Sequence, residues 1–81
     1  MASDRQKALD RLNGLKPRVE EHLAKIAADP TNRAISHWKH EVYNWLRLME
    51  ASVAHVGKKT GDKWTKQIEL WRSQLGVQAH G

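Results

Sequence analysis

A chain of 81 residues has room for one domain with one small core, and folding buries only about two-thirds of such a chain's surface, so tight packing or a partner must supply the rest of the stability. Cysteine is absent, which excludes disulfides and thiolate metal centres, and four Trp with no Phe leave the indoles to carry much of the core. The net charge of +5 invites an acidic partner, yet nine acidic residues are interspersed with fourteen basic ones, as on an ordinary solvated helical surface.

The first residues, Met1 to Gln6, lack the apolar run of a secretory signal, and no later run approaches the roughly 20 residues that cross a bilayer. A cytoplasmic chain without membrane contact is expected. Ser3 with Gln6 three positions on forms a capping box that starts a first helix over about 4–28. Along it Ala8, Leu12, Leu15, Val19, His22 and Ile26 recur at steps of four and three, with Leu9 and Leu23 widening the stripe. Gly14 and Pro17 interrupt the chemistry but not the phase. Either one helix kinks near Gly14–Pro17 or two short helices meet there.

Asp29-Pro30 pairs a capping side chain with a proline that suits the first helical position, and predicts a second helix over about 30–56. Its stripe is Ile35, Trp38, Val42, Trp45, Met49, Val53 and Val56, and Gly57 is placed to take a left-handed backbone at its end. After the turn Gly57 to Gly61, Thr60 can cap a third helix over about 61–75. Trp64, Ile68, Trp71 and Leu75 share one face of it, and Gly76 opens a polar tail, 76–81.

The predicted class is all-α: a single domain, 1–81, built as an antiparallel hairpin of two long helices with a shorter third, resembling a three-helix bundle. The short connection at Ala28 to Pro30 sets Ile26 near Ile35, Leu23 near Trp38, Val19 near Val42 and Leu12 near Met49. At 1.5 Å per residue the hairpin is about 40 Å long and the third helix about 22 Å. The shorter helix therefore leaves Val19, Leu23, Ile26, Ile35, Trp38 and Val42 as an apolar strip covered on one side only, where a second copy or another helical protein could pack.

Chemistry finds less support. His37 and Glu41 share a helix face, and only His22, from across the hairpin, could join them, so no metal or other cofactor is assigned. Ser36 does not face its neighbour His37, and Glu20-Glu21 imply no cleft, so no catalytic residue and no enzymatic activity is expected. Gly57-Lys58-Lys59-Thr60 lacks the preceding strand and the residue order of a phosphate-binding loop. A helix-turn-helix reading of Val53 to Lys66 would put Lys63 and Lys66 where apolar residues belong. Two functions from different classes remain. One is a non-enzymatic interaction or self-association module working through the strip around Trp38. The other is a small basic nucleic-acid-binding protein using Lys58, Lys59, Lys63 and Lys66 beside Trp64.

Overall fold

The computed structural model describes the backbone of residues 3–80 and the side chains as far as Gly76. Three helices follow one another: α1 Asp4–Ala28, α2 Ile35–Val53 and α3 Lys58–His80. Helix α1 packs against α2 and α2 against α3, a small three-helix bundle as predicted, and no helix among the described residues is long and apolar enough to cross a membrane.

Ser3 caps α1, its hydroxyl accepting the Gln6 N–H at 3.1 Å. The other half of the capping box is not made, because the Gln6 amide turns forward to Asp10 Oδ1 at 2.9 Å. The helix runs unbroken through Gly14 and Pro17. The alternative of two short helices is thus not realised: Pro17 leaves only the Asn13 carbonyl without its helical donor, while the seam on both sides stays in phase and buries Ala8, Leu12, Val19, Leu23 and Ile26.

The second helix starts later than Asp29-Pro30 suggests. Asp29 ends α1, its N–H donating to the Lys25 carbonyl at 3.0 Å, and Pro30 lies in a turn closed by Asn32 N–H on the Asp29 carbonyl at 3.2 Å. Ala34 stands at the N-cap with no side-chain cap bond, and Asn32 shapes the approach through an Asx turn, its side-chain oxygen accepting the Ala34 N–H at 2.7 Å. At the other end α2 stops at Val53, and tighter i→i+3 bonds carry the chain on, from His55 to Ser52 at 3.0 Å and from Val56 to Val53 at 3.3 Å. Gly57 takes the expected left-handed backbone, with φ 84.

Helix α3 begins earlier and ends later than the predicted span of 61–75. Gly57 already accepts the Gly61 N–H at 2.8 Å, which places Lys58 to Thr60 in the first turn and Thr60 inside the helix instead of at its cap. Gly61 lies against the end of α2, where a Cβ would stand 3.3 Å from Val53 Cγ1 and 3.4 Å from the Val53 carbonyl oxygen. Gly76 keeps helical φ and does not stop the helix, so residues 76–80 of the expected tail continue α3, while Gly81 falls outside the described residues. With 23 residues α3 is about 34 Å long, not 22 Å.

The core is assembled on α2. Val42, Leu46 and Met49 are fully buried between Leu12, Val19 and Ile26 of one neighbour and Ile68, Trp71 and Leu75 of the other. Each such side chain contributes about 1.5–3 kcal/mol on burial. Helix α3 touches α1 little, so the bundle is wider than it is thick, 44 × 22 × 15 Å. Clefts remain on either side of α1, one against α2 and one against α3.

Candidate functional site

The predicted strip is largely consumed by the hairpin itself. Val19, Leu23, Ile26 and Val42 are buried within the folded chain, and only Ile35 and Trp38 remain partly exposed. The premise that a short third helix leaves them open fails with the length of α3. Helical phase nevertheless opens a different face. Glu50 and Val53 of α2 adjoin α3, whereas Ala51, Ser52 and His55 adjoin Asp4, Ala8 and Arg11 of α1. Continuing that second flank by steps of three and four gives Ser52, Leu48, Trp45, Glu41 and Trp38 on α2, opposite Ala8, Arg11, Leu15, Arg18, His22 and Lys25 on α1.

The contacts across this groove fix its register. His22 Nε2–H donates to Glu41 Oε2 at 2.8 Å, and Lys25 Nζ lies 5.9 Å from the centre of the Trp38 ring. The His22 ring meets Trp45 edge to face at 4.7 Å between centroids. All three pairings fit the antiparallel arrangement expected for the hairpin. Trp38, Trp45 and Leu15 pack on the core yet stay half-buried, and Leu48 beside them is 46% exposed. Arg11, Arg18 and Lys25 line the α1 rim, all exposed; of these only Lys25 has an ion-pair partner among the described residues, Glu21 at 3.5 Å.

Glu41 gathers all three of the potential metal ligands considered from sequence. Its Oε1 accepts from His37 Nε2 at 2.6 Å while Oε2 takes His22. The carboxylate thus stands between the imidazoles, and the described residues contain no group of three arranged to hold a metal. Glu20 and Glu21 are exposed, as expected of a solvated helix face, and Ser36 is exposed in the first turn of α2.

The basic corner divides. Lys59, Lys63 and Lys66 step four and three along the outer face of α3, whereas Lys58 sits about 100° away from Lys59 around the helix. All are exposed. Trp64 is only half-buried, and its neighbours Thr60, Lys63 and Gln67 face Leu9, Asn13 and Lys16 across a cleft of about 320 Å³ between α3 and α1. Leu15 and Trp45, expected in the seams, are only half-buried here, and Leu48 and the arginine rim lie outside the expected strip; the alternating step of Trp38, Glu41, Trp45, Leu48 and Ser52 is the signal that carries them. No protein-family model, no curated protein and no solved structure matches this chain.

Proposed function

We propose that this chain is a non-enzymatic helical interaction module whose binding surface is the outer groove of the α1/α2 hairpin, and that its preferred occupant is an amphipathic helix with an acidic flank. The observation that carries the reading is the row Trp38, Trp45 and Leu48, half-buried to exposed, beside the basic rim of Arg11, Arg18 and Lys25. Aromatic anchors beside arginine are the composition enriched where protein surfaces pack. A cytoplasmic setting belongs to the same reading, since a cysteine-free chain suits a reducing compartment.

A second copy is the alternative occupant, and electrostatics separates the two. Two-fold pairing of this groove would bring two basic rims together, so homodimerisation should strengthen as salt screens them, while an acidic partner should bind more weakly. The test combines sedimentation equilibrium at low and high salt with titration of designed helical peptides, one rich in Leu and Glu and one in Leu and Lys. Preference for the acidic peptide, lost in Leu48→Glu, is the expected result. Equal binding of both peptides, or binding unchanged in Leu48→Glu, would overturn it. Leu48 suits the purpose because its exposure lets the charge be placed without disturbing the core.

A further inference from the structure

On the other side of the hairpin, the cleft between α1 and α3 has the chemistry of a nucleobase site, and we infer that it binds a nucleobase carrying phosphate. Its volume of about 320 Å³ matches the lower end of small-molecule sites. The floor is apolar, with Leu9 and the half-buried indole of Trp64. A base has a π-face that such a ring can stack on whatever its sequence.

The walls supply what the edges of a base and its phosphate need. Asn13 from α1 and Gln67 from α3 bring carboxamides to the cleft, groups that both donate and accept and so match base edges. Neither amide is engaged in a hydrogen bond among the described residues. Lys16 and Lys63 stand on opposite rims, and Lys59 and Lys66 extend the charge along α3. Among the described residues these lysines make no ion pair, although Asp62 adjoins Lys59, Lys63 and Lys66 on the outer surface. Four lysines beside a single carboxylate attract phosphate by charge alone, and the cleft gives that attraction a place to be specific.

One ligand chemistry could reach the cleft from two sources, a free mononucleotide or a single strand of DNA or RNA. The experiment follows tryptophan fluorescence while AMP and a short single-stranded oligoadenylate are titrated separately into the full chain at low salt. Saturable quenching by AMP identifies the free nucleotide; quenching by the oligonucleotide alone identifies the strand. In either case Lys16→Glu with Lys63→Glu, both at exposed positions, should weaken binding by at least about tenfold, and Trp64→Phe, which keeps an aromatic floor, should retain more binding than Trp64→Ala. Arg11→Glu with Arg18→Glu carries the same charge change on the opposite side of α1. If that pair weakens binding as much as the lysine pair, the attraction is diffuse and the cleft is not the site. Absence of binding by both ligands would overturn the inference too, and it would leave the groove on the far side of the hairpin untouched.

Discussion

Glu41 occupies the point where the hairpin's polar contacts converge, and its two bonds are unequal. His37 is 71% exposed in its side chain, so water competes for it, and a pair of this kind contributes little. His22 is 15% exposed, its ring is held edge-on to Trp45, and its Nδ1 is buried without a partner. The carboxylate can only accept, which puts a proton on Nε2 and leaves the buried Nδ1 without a hydrogen-bond partner. Glu41→Ala should therefore cost about 1–2 kcal/mol in urea unfolding, against about 0.5 kcal/mol or less for His37→Ala. Equal losses would mean that His22 does not depend on the carboxylate. His22→Phe removes the unpaired nitrogen while keeping a ring against Trp45, and it should leave stability within about 1 kcal/mol of wild type. The i,i+4 relation of His37 and Glu41 could be read from spacing. That His22 would join them needed only the antiparallel register, but that the three would bond to one another instead of framing a metal was not contained in either.

At the scale of elements, the seams were legible and the boundaries were not, because a seam is written over a whole helix while a boundary is decided by rival local bonds. Asp29-Pro30 has every sign of a helix start, yet Asn32 lies closer to Ile35 and its side chain reaches Ala34. Asn32→Ala should cost about 1 kcal/mol, the net worth of its part-buried bond to Ala34 N–H, and Asp29→Ala distinctly less, since its carboxylate meets only the exposed amide of Asn32 at 2.9 Å. The opposite order, read from thermal unfolding, would move the start of α2 back to Pro30. Glycines misled for a related reason. Gly57 and Gly76 each follow an apolar run, but only Gly57 has positive φ. Gly57→Ala should destabilise by about 1–2 kcal/mol although nothing crowds its Cβ position. Gly14, inside α1 with equally open space, should behave in the other direction, Gly14→Ala gaining about 0.5–1 kcal/mol. Comparable losses at both positions would show that helix α1 needs its glycine for a bend.

For the whole molecule, the arrangement of helices matters more than their lengths. The length arithmetic that made Val19, Leu23, Ile26, Ile35, Trp38 and Val42 an uncovered strip does not hold, since α3 is long enough and Val19, Leu23, Ile26 and Val42 are buried, while α3 packs on α2 and contacts α1 little. That same arrangement makes α2 the shared wall of two interfaces, with Val42, Leu46 and Met49 all fully buried in it. Neither interface can open without exposing side chains that the other also uses, so the chain should unfold in one cooperative step. Leu46→Ala tests this directly. A cavity at a fully buried leucine costs about 2–5 kcal/mol, a large part of the roughly 4–12 kcal/mol that a domain of this length possesses at about 0.05–0.15 kcal/mol per residue. Native-state amide exchange should then accelerate together in α1, α2 and α3 of the variant, and most in the slowest amides of α2, whose opening requires global unfolding. If α3 kept its wild-type protection while α1 and α2 lost theirs, the bundle would consist of a separable hairpin and an independent helix. Helix α3 has too little contact with α1 for that, and too few buried residues of its own to hold its shape without Leu46 and Met49 behind Ile68, Trp71 and Leu75.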